Sequence, residues 1–317
     1  MRERFYRLLS SASRYLGPGF FLLIARGIAG GYYLLFPNRT AASVRFYRVL
    51  FPGRHLFFHL ACAWRQFHNF TVLFLDRHLL QSGGAIDYTF SGRDHLLTAL
   101  EHGSGGILLM SHLGNWEIGA RLLRRDIPQL PLMLYVGQRA KDQIERLQKQ
   151  DLMASGVRVL AVDQAGGSAF DLVEGVTFLR SGGFVSMAGD MIWQADQRAV
   201  TVRFLDHWVR LPEAPFMLAL AIKVPVYVFF AASRGPQAYH FSVSPPVHVT
   251  AEHRSLRHEA IRKAAQVYAR RMESQMIIIV FINTDLLAEW GSLSKTLCLS
   301  YHSGTVAYNL VYHQLYS

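Results

Sequence analysis

Short apolar runs alternate with amphipathic stretches between about residue 84 and residue 275. Residues 105–110 and 131–136 are apolar runs of strand length, and the amphipathic segment 116–125 lies between them. The same alternation predicts further strands at 157–162, 184–188, 224–231 and 239–243, and further helices at 140–154, 169–180, 214–222 and 255–273. Residues 190–212 show no such run and are expected to form a long irregular connection. This pattern predicts an α/β fold with a mixed, mostly parallel central sheet and flanking helices.

The first 75 residues have a different pattern, in which arginines separate long apolar runs. This segment contains ten arginines, no lysine and a single acid, Glu3, so it carries +9 of the net charge of +11. Apolar spacers between the charges favour an anionic lipid surface as partner over nucleic acid. Residues 1–80 are therefore expected to form membrane-associated helices, followed by a catalytic domain at 81–275 and a divergent tail at 276–317.

Residues 15–36 form a long stretch with a single charge, Arg26. The stretch is long enough to cross a bilayer. However, Arg26 lies at its centre, and several glycines and a proline weaken a helix there. A transmembrane span, an interfacial hairpin and a pair of core helices all remain open.

The composition favours a protein that contacts a bilayer by one face. Apolar residues make up 51% of the chain and charged residues 17%. This charged fraction is low for a soluble enzyme, yet the charges are too frequent for a polytopic membrane protein. The two cysteines, Cys62 and Cys298, lie far apart, so their spacing indicates neither a disulfide framework nor a zinc site. We expect no metal and no cofactor.

The segment Ser111 to Glu117, SHLGNWE, contains the most informative candidate chemistry. In one continuous helix His112 and Glu117 would lie about 140° apart and could not pair. A strand that ends at Ser111, a turn at Gly114 and a helix from about Asn115 would instead bring the carboxylate back to the imidazole. Such a pair makes a general base for a hydroxyl group, although a structural histidine remains the alternative on spacing alone.

Four further residues are candidates for substrate contact. Asn115 and Trp116 lie inside the motif, where a helix cap and side-chain packing are the alternative roles. Arg121 follows on the predicted helix and is a candidate for contact with a phosphate of the donor or the lipid, with a solvated position on the helix surface as the alternative. Asp190 follows the predicted strand 184–188 by two residues, and either positions a substrate group or caps the following loop.

The motif resembles the first motif of the lysophospholipid acyltransferase superfamily. Glutamate as the acidic residue resembles the bacterial lipid A late acyltransferase branch, which includes lauroyl and myristoyl transferases. Two further segments resemble that branch: Met187 to Asp190, and Arg203 to Leu205 followed by Leu211-Pro212 and the helix at Pro215-Phe216. The resemblance covers about residues 40–275.

The resemblance implies a glycerolipid acyltransferase-like fold and O-acyl transfer with His112 and Glu117 as catalytic residues. The donor would be an acyl carrier protein or acyl-CoA thioester, and the acceptor a hydroxyl of a glycolipid or lysolipid. The enzyme would then lie on the cytoplasmic face of a bacterial inner membrane, with no nucleic acid as partner. Two other classes remain open: a catalytically silent membrane-binding protein, and a metal-dependent hydrolase that uses His112, Glu117 and Asp190.

Overall fold

The computed structural model describes residues 15, 17–81, 83–137, 152–153, 156–162, 169–192, 196–235 and 237–284. Three helices come first: α1 (Pro18–Leu35), α2 (Pro37–Leu50) and α3 (Leu56–Gln81). They are followed by β1 (Asp87–Ser91), α4 (Arg93–Glu101), β2 (Gly106–Met110), α5 (Trp116–Asp126), β3 (Leu132–Gly137), β4 (Arg158–Val162), α6 (Ala169–Arg180) and β5 (Phe184–Ala188). The described chain ends with β6 (Ala199–Phe204), β7 (His207–Pro212), α7 (Ala214–Ile222), β8 (Val226–Gly235), β9 (Ala238–Val243) and α8 (Arg257–Thr284).

Seven of the described strands form the central sheet, in the order β1-β9-β8-β2-β5-β3-β4. The five strands β8, β2, β5, β3 and β4 run parallel to one another. β9 is antiparallel to β8, and β1 is parallel to β9. The predicted α/β class and the mixed, mostly parallel sheet are confirmed.

The prediction of an irregular connection at 190–212 is wrong, because most of this segment is a β-hairpin. β6 and β7 pair in antiparallel register from Ala199–Pro212 to Phe204–His207. The inward side chains of β6 alternate with exposed ones, and Val200 and Val202 are buried. α8 also continues to Thr284, eleven residues beyond the predicted end of the last helix at 273. The predicted helix 140–154, except residues 152–153, and the predicted tail 276–317, except residues 276–284, lie outside the described residues.

The core lies on both faces of the sheet. On one face, Ile107 and Leu109 of β2 pack in a cluster with Phe216 of α7 and Tyr268 of α8. On the other face, Leu108 of β2 packs in a cluster that includes the following side chains of α4 and α5: Leu96, Ala99, Ile118, Leu122 and Leu123. A strand buried on both faces has a continuous apolar sequence, which is why residues 106–110 contain no polar position. The carboxyl end of the central strand β2 is therefore packed on both faces of the sheet.

The three N-terminal helices pack against this domain. Tyr47 of α2 and Cys62 of α3 are buried in the same cluster as Ile107. Phe21 of α1 packs against Leu75 of α3 and stacks on His78 at a ring-centroid distance of 5.3 Å.

The length and apolar character of the N-terminal helices bear on whether they can span a membrane. Within the described residues no single helix is both long and apolar enough to cross a bilayer. The segments Gly19–Leu35 and Pro37–Leu50 meet the requirement only together, on length and composition, and they are bent by 90° where they join.

Candidate active site

The candidate site lies at the carboxyl ends of β2 and β5, which are neighbouring parallel strands. Met110 pairs with Ala188 at the last position of their register, and the Gly189 N–H extends the ladder by donating to the Met110 carbonyl at 2.9 Å. His112 and Asp190 each follow two residues after that last pair. Because parallel strands end at the same edge of the sheet, these two side chains meet there.

Asp190 holds His112 by both of its carboxylate oxygens. The His112 backbone N–H donates to Oδ2 at 2.7 Å, and the imidazole Nδ1 lies 3.0 Å from Oδ1. A carboxylate accepts hydrogen bonds, so Nδ1 carries the proton and Nε2 is left as the basic nitrogen. The Asp190 side chain is only 2% exposed, whereas the His112 side chain is 15% exposed, which leaves the imidazole the more accessible of the two.

A tight turn after His112 redirects the chain into α5. Gly114 has φ of 91°, and a Cβ added there would lie 2.1 Å from the Ala231 carbonyl oxygen. Only glycine fits both the left-handed backbone and this close approach to β8. The next residue completes the contact, since the Asn115 N–H donates to the same Ala231 carbonyl at 2.9 Å. The turn therefore fixes the motif to a central strand.

Asn115 caps α5, in agreement with the alternative role considered for it. Its Oδ1 accepts from the Ile118 N–H at 3.2 Å, and its Nδ2 donates to the Tyr239 hydroxyl at 3.3 Å. Tyr239 in turn donates to Asp76 of α3 at 2.7 Å, and Asp76 also accepts from the Gln237 N–H at 3.0 Å. This buried chain of hydrogen bonds ties the start of α5 to β9 and α3.

The buried position of Asp76 affects its ionisation. Burial raises the pKa of its carboxyl group, and the hydrogen bonds from Tyr239 and Gln237 partly oppose that rise. The pKa of the Tyr239 phenol is raised by burial and by the neighbouring Asp76 carboxylate.

Glu117 lies in the first turn of α5 and is bridged by two arginines. One carboxylate oxygen accepts from Arg77 of α3, and the other accepts from Arg121, one turn further along α5, at 3.0 Å. The Glu117 side chain is 3% exposed and the two arginine side chains are 14% and 11% exposed. A buried carboxylate at a helix N-terminus is stabilised by such partners and by the helix dipole.

The structure therefore differs from the predicted pairing within the motif. The carboxylate that hydrogen-bonds to the His112 ring is Asp190, whereas the predicted partner Glu117 has both oxygens engaged by Arg77 and Arg121. Arg121 was predicted to contact a phosphate of the substrate, but here it holds the protein's own carboxylate. Trp116 is partly buried and packs on the cluster beneath α5.

The metal-hydrolase alternative requires a cluster of ligands. In the part of the chain that the structure describes, no group of three or more His, Cys, Asp or Glu side chains is placed to hold a metal ion.

An α/β sheet with a histidine–carboxylate pair at the carboxyl edge of its parallel strands is an arrangement suited to acid–base catalysis. A model of the bacterial lipid A biosynthesis acyltransferase family matches residues 57–278, which is more than half of the chain. The chain belongs to this family, and its family activity is acyl transfer in lipid A biosynthesis. No individual curated protein matches the chain.

Proposed function

We propose that the chain is an O-acyltransferase that moves a fatty acyl chain from a carrier thioester to a hydroxyl of a glycolipid or lysolipid at a membrane surface. The donor is an acyl carrier protein thioester or, as the second choice, acyl-CoA. The observation that supports the proposal most directly is the contact of His112 Nδ1 with the buried Asp190 carboxylate, because it places the ring proton on Nδ1 and the basic lone pair on Nε2.

In the proposed reaction His112 acts first as a base and then as an acid. Nε2 takes the proton of the acceptor hydroxyl while the hydroxyl oxygen attacks the thioester carbonyl carbon. The tetrahedral intermediate then collapses, the carbon–sulfur bond breaks, and the thiolate takes the proton from Nε2. The products are an oxygen ester and a free thiol, and His112 returns to its starting state.

Asp190 supports both steps in this proposal. Its carboxylate accepts one hydrogen bond from the His112 backbone N–H and one from Nδ1 of the ring, which orients the ring, and it stabilises the imidazolium that forms after proton transfer. Glu117 acts as a positioning residue that holds Arg77 and Arg121 beside the start of α5. Asn115 positions the same helix end through its cap.

The exposed apolar surface of the N-terminal helices supports the proposed membrane contact. Leu34 and Leu35 at the end of α1 are 71% and 77% exposed, and Phe57 at the start of α3 is 78% exposed. Exposed side chains of this size next to arginines are typical of helices that lie in the headgroup region. We propose that this surface holds the enzyme on the cytoplasmic face of a bacterial inner membrane.

High salt is expected to leave most of the protein bound to anionic vesicles. Raising the salt from 0.1 M to 1 M shortens the Debye length from about 10 Å to about 3 Å and weakens the arginine contacts. Insertion of large apolar side chains, at roughly 1.5–3 kcal/mol each, is not weakened by salt. Vesicle flotation of the full chain measures the bound fraction.

A paired variant tests the apolar contribution directly. Replacing Leu35 and Phe57 by glutamate should release the protein at 1 M salt. The control replaces Leu172 and Val173 of α6 by glutamate; these side chains are 56% and 60% exposed. The control protein should stay bound at 1 M salt. Complete release of the unaltered protein by 1 M salt would show that arginine contacts dominate and that the apolar surface is not inserted.

The proposed activity is tested by incubating membranes with labelled acyl carrier protein thioester and the full chain. Mass spectrometry of the lipids should show a new ester on one glycolipid or lysolipid. A parallel reaction with labelled acyl-CoA identifies the preferred donor. Hydrolysis of the thioester without any acylated lipid would contradict the proposal.

A further inference from the structure

An apolar groove with two arginines at its rim lies where the three N-terminal helices meet. It has a volume of about 510 Å³ and is lined by the end of α1, one face of α2 and the start of α3. Small-molecule sites typically occupy about 300–1,000 Å³, so the groove is large enough for part of a lipid. The apolar lining residues are Tyr33, Leu34, Pro37, Ala41, Val44, Leu56 and Leu60.

Hydrogen bonds hold the walls of the groove in place. The Tyr33 hydroxyl on α1 donates to the Leu60 carbonyl on α3 at 3.1 Å, and the Thr40 hydroxyl on α2 donates to the Tyr33 carbonyl at 2.7 Å. The Tyr33 ring also packs edge-on against Trp64 at a centroid distance of 5.1 Å. The groove is thus a built feature of the three-helix arrangement.

Arg45 and Arg48 supply the charge at this groove. They are three residues apart on α2, so they project from the same side of the helix, and both are exposed. Neither guanidinium group has a carboxylate partner among the residues that the structure describes. Along the chain the first acid after Glu3 is Asp76, which is fully buried and accepts from Tyr239 and Gln237. The rim of the groove is therefore complementary to an anion.

We propose that this groove binds one anionic phospholipid molecule from the bilayer. Part of an acyl chain lies along the apolar face of α2, and the phosphate accepts hydrogen bonds from Arg45 and Arg48. The neighbouring Leu34, Leu35 and Phe36, at 71%, 77% and 42% exposure, place the mouth of the groove beside the surface proposed to meet the membrane. The inference rests on the proposed membrane location but not on the acyl-transfer chemistry.

Lipid retention by the full chain in micelles of an uncharged detergent tests this site. Native mass spectrometry should show one phosphatidylglycerol bound per chain, and phosphatidylcholine with the same acyl chains should bind more weakly. Changing both arginines together, Arg45→Gln with Arg48→Gln, should weaken phosphatidylglycerol binding roughly 25-fold, because each charge near an anionic group contributes about a factor of five. Ala41→Trp should weaken it as well, since the indole fills the groove.

Matched controls separate the groove from general surface effects. Arg254 and Arg257 are also exposed and three residues apart, so Arg254→Gln with Arg257→Gln should bind the lipid as the unaltered chain does. Ala61→Trp places the same large side chain on an exposed position of α3 outside the groove lining and should also have no effect. Thermal unfolding followed by circular dichroism checks that each variant is folded.

Three outcomes would overturn the proposal. Equal lipid retention by the Arg45/Arg48 variant and the unaltered chain would show that the arginines do not bind the headgroup. Glycerol phosphate binding as tightly as the lipid would show a bare phosphate site. Loss of acyl carrier protein binding in that variant, with lipid retention unchanged, would assign the arginines to a protein partner.

The His112→Ala variant should still retain the lipid, so failure of the catalytic proposal is distinguishable from failure of the lipid-binding proposal.

Discussion

Replacing His112 by alanine is expected to lower the rate of acyl transfer by about 10² to 10⁴, because a positioned general base contributes that much to a proton-transfer step. The fold should be retained, since the imidazole is partly exposed and lies after the end of β2. Transfer from labelled acyl carrier protein to membrane lipid measures the loss. His102→Ala is the matched control, because His102 is an exposed histidine that caps the end of α4.

Asp190→Asn distinguishes the two possible partners of the histidine. An amide at this position can donate to Nδ1, which favours the tautomer that has its proton on Nε2 and thereby removes the base. The loss should therefore approach that of His112→Ala. Because the two residues act as a unit, the double variant should be little worse than His112→Ala alone. A double loss equal to the product of the single losses would show that Asp190 and His112 act independently.

The sequence was most informative where one local pattern determined the structure. α6 at Ala169–Arg180, β5 at Phe184–Ala188 and α7 at Ala214–Ile222 have the predicted bounds. Each is a mainly apolar run of the length expected for its element, with turn or polar residues on both sides. The start of α5 was also predictable, because asparagine before Trp116 is a favoured cap.

The β6–β7 hairpin was missed because its turn has an unusual sequence. Leu205 and Asp206 occupy the two turn positions with φ of 48° and 61°. Positive φ at both positions is usually signalled by Asn-Gly or Asp-Gly, and neither occurs here. β6 alternates buried and exposed positions, but β7 buries the polar His207 and exposes the large apolar Trp208, which is the reverse of the expected pattern.

The partner of His112 was missed because sheet order is a long-range property. Asp190 lies 78 positions after His112, and they meet only because β5 is the neighbour of β2. Glu117 was the nearest acid in the sequence and therefore the natural prediction. Its contact with Arg77 also spans 40 positions and depends on how α3 packs against α5. The available signal was that a polar residue, His112 or Asp190, follows two residues after the end of each strand.

Glu117→Ala is expected to destabilise the protein by about 3–5 kcal/mol, the usual cost of removing one member of a buried ion pair. The change leaves the charges of Arg77 and Arg121 at a buried site without the carboxylate that bridges them. A domain is stable by only about 5–15 kcal/mol, so much of the stability would be lost. Urea unfolding followed by circular dichroism measures the free energy of unfolding.

The control for the loss of stability in Glu117→Ala is a variant that removes an exposed ion pair instead. Glu174 lies 3.2 Å from Arg158, with side-chain exposures of 47% and 61%. Glu174→Ala should change the free energy of unfolding by no more than about 1 kcal/mol, because exposed ion pairs contribute little. A similar small change for Glu117→Ala would contradict the structural role assigned to Glu117.

A triple replacement then separates stability from chemistry at Glu117. Changing Glu117 to leucine together with Arg77→Met and Arg121→Met removes all three charges at once. Apolar substitution of a complete buried ion network is often neutral or stabilising, so the triple variant should recover most of the stability lost in Glu117→Ala. If Glu117 only positions α5, acyl transfer should recover with the fold. A folded triple variant that stays as inactive as His112→Ala would show instead that Glu117 or its arginines act on the reacting groups, as the motif first predicted.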